Sequence, residues 1–289
     1  MARTKFAPNP EVAKQKQADA LTKLELGIQE LLESGDWQKY LRTQSRFHNY
    51  SFNNCMLIMA QCPHATRVAG FHTWKSMNRR VRKGEKGIRI LAPIIRKLDD
   101  EIGDPDASTR ALVGFRTVSV FDISQTEGED LPEVETSLAG GDAGLWEALE
   151  LFSIDNGVPV YLEASLSGAR GYCQYDDTGK PIKIAVDPTL SALHKAKTLA
   201  HEIGHSLLHS CTEYLGHSTR SEKELEAESV AFVVLDHFGL DTSNYSFSYI
   251  CSWQQGKDAI ANLKASGQRI QQAASQIIDW VEGSFATGA

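Results

Sequence analysis

Residues 199–209 read Leu-Ala-His-Glu-Ile-Gly-His-Ser-Leu-Leu-His. On a helix, His201 and His205 project from one face a single turn apart, so two imidazoles can share one metal ion. Glu202 follows the first histidine, where a carboxylate can act as general base toward a water that the metal activates. This His-Glu-x-x-His spacing is the one used by zinc-dependent peptidases. A zinc ion brings the pKa of water down to about 7, which makes a hydroxide-like nucleophile available at neutral pH. Gly204, between the histidines, leaves room for close approach by the metal or by a neighbouring strand.

A catalytic zinc takes three protein ligands and keeps a fourth position open. The third can come from Glu222-Lys-Glu-Leu-Glu-Ala-Glu228, just downstream. Glu224 and Glu228 are four apart and share a helical face, so one can bind the ion while the other orients a histidine from behind. Glu224 is the expected ligand, Glu228 the orienting carboxylate, and Glu226 the alternative ligand. Two histidines and a carboxylate suit Zn²⁺, with Mn²⁺ or Co²⁺ as possible occupants. His209, His217 and Arg220 are candidates for stabilising an oxyanion, and Tyr161 and Tyr172 are less well placed. His48, His64, His72, His194 and His237 have no partner at ligand spacing and are assigned to structure.

The elements that must position this cluster are legible around it. Leu199, Ile203 and Leu207 recur at helical spacing, and Asp187-Pro188 predicts an N-cap with proline at the first helical position, opening a helix to about Ser210. Further helices are expected over Leu145–Phe152, Ser221–Phe238 and about Gln254–Glu282, with strands at Val158–Glu163, Gly171–Tyr175 and Ile182–Val186. The Gly-, Glu- and Pro-rich stretch from Gln125 to Gly144 reads as a linker. Before it, Leu21, Leu24, Ile28 and Leu31 predict an amphipathic helix over 10–34, and a second helix runs from Phe52 to Gln61. An aromatic and basic segment, Arg67–Lys86, then leads into strands at Ile88–Ile95 and Leu112–Ile123. The expected organisation is a domain over 1–125, a linker over 126–143 and a second domain over 144–289.

With 42% hydrophobic and 23% charged residues, the 289-residue chain is an ordinary globular sequence. No apolar run approaches the 18 to 20 or so residues of a membrane helix, and the N-terminus lacks a signal-type apolar core, so a cytoplasmic location without a membrane partner is expected. Five cysteines without a CxxC pair encode neither a disulfide framework nor a zinc knuckle.

The net charge of −7 taken alone argues against a polyanionic partner. Residues 1–97, however, carry 18 Lys and Arg against 7 Asp and Glu, a net of +11, while residues 98–289 carry 12 against 30, a net of −18. Such asymmetry points to a nucleic-acid or membrane partner, and a membrane surface is the poorer fit because the cations fall in a turn-and-strand region and not along one helix face. In the basic segment Trp37, Tyr40, Phe47, Tyr50, Phe52, Phe71 and Trp74 are interleaved with Arg46, Arg67, Lys75, Arg79, Arg80, Arg82, Lys83 and Lys86. Single-strand binders need both types, cations to track phosphates and rings to stack on bases.

Tyr50-Ser-Phe-Asn-Asn54, Ala65-Thr-Arg-Val-Ala-Gly-Phe-His-Thr-Trp74, Val81-Arg-Lys-Gly-Glu-Lys-Gly-Ile88 and Val120-Phe-Asp-Ile-Ser-Gln-Thr126 resemble the single-stranded-DNA-binding domain of the ArdC antirestriction family. The second half resembles the HExxH peptidases of the ImmA/IrrE type, whose Glu-x-x-Ala-(Asn/Asp/Glu) pattern falls on Glu224, Ala227 and Glu228. The similarity runs from about residue 10 to about residue 250. It implies an α+β chain in which a mixed α/β DNA-binding domain precedes a zincin-like, gluzincin-type peptidase domain. It also implies a protein of mobile elements that coats incoming single-stranded DNA, and it adds Asn53 to the candidate DNA contacts. The leading functional expectation is a DNA-tethered zinc endopeptidase acting on an unknown protein substrate. The alternatives are a non-proteolytic shield whose metal is structural, and a peptidase that cleaves a repressor.

Overall fold

A computed structural model describes residues 10–97, 110–131, 144–164, 168–210, 219–242 and 258–287. The chain is α+β and packs as two units, Met1–Glu30 with Asn53–Leu131, and Leu31–Phe52 with Pro132–Ala289.

The first unit is built on a long antiparallel pair, β3 (Ile88–Lys97) and β4 (Arg110–Asp122), running in register from Ile88↔Val120 to Lys97↔Arg110 with an irregularity at Ile94/Ile95. The short strand β1 (Val68–Gly70) pairs with the other side of β4, giving the order β1-β4-β3. A six-residue helix, α4 (Phe71–Ser76), separates β1 from β2 (Arg79–Val81), which pairs with β5 (Thr126–Gly128). The first three residues of the expected linker are therefore strand. Two further helices contribute to this unit, α1 (Pro10–Ser34) as far as Glu30 and α3 (Phe52–Gln61) from Asn53.

An edge strand exposes unpaired amides and carbonyls, and on β3 two side-chain amides of α3 satisfy them. Asn54 donates to the Leu91 carbonyl and accepts the Leu91 N–H, both at 2.9 Å. Gln61 does the same for Arg89, at 2.9 and 3.1 Å.

Asp122, at the end of β4, is 1% exposed and accepts the backbone N–H groups of Thr66, Arg67 and Ser124 at 2.8, 3.1 and 2.9 Å. Burial alone would raise its carboxyl, but the hydrogen bonds from Ser124, Thr66 and Arg67 outweigh it and hold the group below the ordinary carboxylate range. Asp122→Ala is expected to destabilise the chain by about 2 to 3 kcal/mol at pH 7 in chemical denaturation, the scale of orphaned donors to a charged acceptor. Because the folded pKa is the lower one, this stabilisation is complete above the unfolded value of about 3.9. It is lost as pH falls through the folded value, so the gap between wild type and variant should close only below about pH 4.

The second unit contains a helix that the sequence pattern does not announce, α2 (Trp37–Arg46), N-capped by Asp36, whose carboxylate accepts the Lys39 N–H. Trp37, Tyr40, Leu41 and Gln44 recur at helical spacing and are buried. Trp37 reaches across to α7 (Arg220–His237), donating from Nε1 to Ser229 Oγ at 2.9 Å. The remaining elements are α5 (Leu145–Asp155), a sheet of order β6-β8-β7, α6 (Ala192–Leu208) and α8 (Ala259–Thr287). In the sheet, β6 (Val160–Leu162) runs parallel to β8 (Pro181–Val186), and β7 (Gly171–Tyr175) runs antiparallel to it.

Helix α6 starts later than expected. Asp187 folds onto the Thr189 N–H and hydroxyl, at 2.8 and 2.7 Å, and Ser191 is the N-cap. An aspartate two residues before a threonine closes a local turn as readily as it caps a helix, and here the turn wins. Helix α7 opens on a capping box between Thr219 and Glu222.

The fold also redraws the charge map. Residues 31–52, expected in the first domain, pack with the second unit because α2 buries its apolar face there, and residues 98–131 belong with the first. Counted by unit, the first carries 17 Lys and Arg against 14 Asp and Glu, a net of +3, and the second 13 against 23, a net of −10. A cut at residue 97 had severed the β3–β4 pair and set aside its acidic residues.

Candidate functional site

Helices α6 and α7 approach closely at Gly204. A Cβ there would lie 3.2 Å from Ala227 Cα and 3.3 Å from its carbonyl oxygen, so the missing side chain admits a neighbouring helix rather than a metal or strand. This contact sets the histidines of α6 against the glutamates of α7.

His201 Nε2 and His205 Nε2 stand 3.1 Å apart, with Glu224 Oε2 at 3.4 and 3.7 Å from them. Ligands about 2.0 to 2.1 Å from one tetrahedral zinc lie about 3.3 Å from each other, so these three donors fit a single divalent ion. The electrostatics agree with a site built for positive charge. Burial opposes protonation of His201, but Glu224 and Glu228 outweigh it and hold the imidazole up at about 9. Hydrogen bonds to His201 and His205 hold Glu224 well below the carboxylate range.

Each of the two imidazoles is fixed from behind. His201 Nδ1 donates to Glu228 Oε2 at 3.1 Å, and Lys197 lies 3.4 Å from the other oxygen of that carboxylate. On His205 the support runs deeper. Its Nδ1 is 2.9 Å from His209 Nδ1, and His209 Nε2 is 3.2 Å from Glu226 Oε2. A carboxylate can only accept, so His209 donates from Nε2, accepts at Nδ1 from His205, and leaves His205 Nε2 unprotonated toward the ion. Burial depresses the His209 pKa, in keeping with one proton on the ring.

Glu226, the alternative ligand of the sequence reading, is fully buried and faces away from the ion position. Besides His209 it receives Ser266 Oγ at 2.5 Å and the Arg269 guanidinium, both from α8. Burial pushes its carboxyl up, and His209, Arg269 and Ser266 bring it below the usual range. His209, a candidate oxyanion donor from sequence, is thus a relay between ligand and anchor.

Glu202 is buried, and its carboxylate accepts the backbone N–H of Cys173 on β7. Burial pushes its carboxyl above the ordinary range, against the pull of His201 and His205. The cluster opens into a cleft of about 850 Å³ lined by Gly171, Cys173, Tyr175, Arg220 and Lys223, among others. Tyr172 also lines the cleft, with its hydroxyl donated to Glu163; Tyr161 is exposed, and His217 lies outside the described residues.

Residues 157–235 match the IrrE N-terminal-like domain of the M78 peptidase family, and residues 18–121 match the N-terminal domain of anti-restriction factor ArdC. The chain is an ArdC-like fusion. Two solved structures of the antirestriction protein ArdC from plasmid R388 share its fold. The metal-free one has 23% identity and a TM-score of 0.51, covering 82% of this chain and 84% of that one. The Mn(II)-bound one has 19% identity and a TM-score of 0.54, covering 92% and 99%. An uncharacterized protein of Bacillus anthracis is 25% identical over 276 residues, or 82% of this chain, and the fusion spans about half of that relative's length.

The candidate nucleic-acid residues of the fusion fall in two groups. Arg46, Tyr50 and Phe52 belong to the second unit, and the other ten to the first. Phe52 and Trp74 are core side chains, at 0% and 1% exposure, and present no ring face to a base; their large apolar area is worth more inside. Arg79 is also buried, donating to Thr126 Oγ1 and to the Glu129 carbonyl, and ties β2 to β5. Asn53 and Tyr50 are half-buried. Arg46, Arg67, Phe71, Lys75, Arg80, Arg82, Lys83 and Lys86 are exposed, with Arg80 paired to Glu127 and Arg82 to Glu85. A groove of about 720 Å³ in the first unit adds three cations that the sequence reading passed over, Lys16, Lys23 and Arg89, beside Lys86. The helical spacing of Lys16 and Lys23 on α1 was the available signal.

Proposed function

We propose that the chain is a single-stranded-DNA-binding antirestriction protein whose second unit is a zinc-dependent endopeptidase acting on protein near the bound DNA. The observation that carries the reading is the convergence of His201, His205 and Glu224 on one point, each histidine steered by its own hydrogen-bond chain, beside a buried Glu202. A structural ion has no use for a buried carboxylate next to an open coordination position, which favours catalysis over the shield reading. The ion would be held by His201, His205 and Glu224, and when bound it supplies Lewis-acid polarisation of a peptide carbonyl. Glu202 takes the proton of the attacking water and returns it to the leaving amine, and its raised pKa suits transfer in both directions. The edge strand β7 forms one wall of the cleft, so an extended peptide can lie along it by strand addition.

For DNA, the supporting features are the exposed cations, Phe71 as the exposed ring, and the Lys16, Lys23 and Lys86 groove. Tethering on a shared strand raises the local concentration of a protein substrate. Oligonucleotide affinity should fall with salt at a logarithmic slope of about −0.7 per phosphate contacted. Lys16→Ala, Lys23→Ala and Lys86→Ala together should flatten that slope by about 2 and weaken binding of all sequences alike. Fluorescence anisotropy across a salt series reads both, and an unchanged slope would place the DNA elsewhere.

A further inference from the structure

We propose a second divalent-metal site in the second unit, formed by His48, Asp279 and Glu282. It uses none of the HExxH residues and does not rest on the peptidase reading. One donor atom from each of the three side chains lies within 4.8 Å of the others. Asp279 and Glu282 are three apart on one face of α8, and His48 lies in the turn after α2.

The histidine is the telling member. Its side chain is only 9% exposed, its Nε2 is 3.2 Å from Asp279 Oδ1, and neither ring nitrogen makes a hydrogen bond of good geometry among the described residues. A buried imidazole left in that condition is uncommon, and a metal ion resolves it.

The surroundings hold the donors in place. Gln271 and Ser275 of α8 both donate to the His48 carbonyl. His237 packs edge-on against the His48 ring at 4.6 Å between centroids. It lies 2.9 Å from Glu282 Oε1 through Nε2 and 2.9 Å from the Ser45 carbonyl through Nδ1. Through these contacts His237 orients Glu282, as the support of a metal-binding carboxylate does. Asp279 and Glu282 remain about half exposed, so an ion can enter and water can complete its shell. One imidazole and two carboxylates select a borderline ion of the zinc class rather than Ca²⁺ or Mg²⁺, which prefer all-oxygen shells.

The test is metal stoichiometry on the full-length protein, equilibrated with Zn²⁺, desalted, and measured by inductively coupled plasma mass spectrometry. Wild type should hold two ions per chain, His205→Ala one, Asp279→Asn with Glu282→Gln one, and the combined variant none. The substituted carboxylates are half exposed, and far-UV circular dichroism melts establish that the variants fold. In the His205→Ala background, added Zn²⁺ should raise the melting temperature, and Asp279→Asn with Glu282→Gln should abolish the rise. One ion per wild-type chain that survives Asp279→Asn with Glu282→Gln overturns the proposal, as do two ions that this change leaves in place. Failure of the first site would appear separately, as zinc content insensitive to His205→Ala.

Discussion

Glu202→Gln is expected to eliminate peptide hydrolysis by the second unit while leaving its ion bound. The amide is isosteric and can still accept the Cys173 N–H through its carbonyl oxygen, so the α6–β7 contact survives. It cannot accept a proton from water, and loss of a positioned general base costs about 10² to 10⁴ in rate. The ligands His201, His205 and Glu224 are untouched, so zinc content should equal that of the parent. Cleavage of casein, or of a single-strand-DNA-binding protein, with and without single-stranded DNA is the direct assay. Antirestriction undiminished in Glu202→Gln would show that this function needs no proteolysis and would favour a shield that coats the strand.

Glu226→Leu is expected to be the most destabilising single change in the second unit. Its carboxylate is fully buried and is shared by His209, Ser266 and Arg269. Removing one partner of a buried charge network leaves the other without compensation and costs about 3 to 5 kcal/mol. Urea denaturation at pH 7 reads this. A loss below about 1 kcal/mol, the level of an exposed cap, would mean that Arg269 relaxes into solvent. The same substitution should loosen the ion, because His209 loses the acceptor that fixes its tautomer and with it the orientation of His205. Disturbing support of this kind lowers metal affinity about 10- to 100-fold, measurable by chelator competition.

The two histidines and Glu202 were legible because they sit within one helical turn, where spacing alone fixes geometry. Glu224 and Glu228 were legible for the same reason. Glu226 was not, because a residue two positions away on a helix faces elsewhere, and its partners Ser266 and Arg269 come from another helix. His48 was assigned to structure for want of a neighbour at ligand spacing, whereas Asp279 and Glu282 reach it only through the packing of α8. Helix α2 could have been found, since Asp36 followed by Trp37, Tyr40, Leu41 and Gln44 is a cap and an apolar stripe.

The placement of residues 31–52 bears on how such proteins can be taken apart. A fragment beginning at residue 144 would contain His201, His205 and Glu224 yet lack Trp37, Tyr40, Leu41 and Phe52, all at 0% exposure. It would leave Ser229 without the indole that bonds it and expose a broad apolar wall. Helices α1 and α3 each begin in one unit and end in the other. The second unit is therefore not a cassette that cloning can move at a single junction. A transplantable version must carry α2 with it, rejoined by an artificial loop.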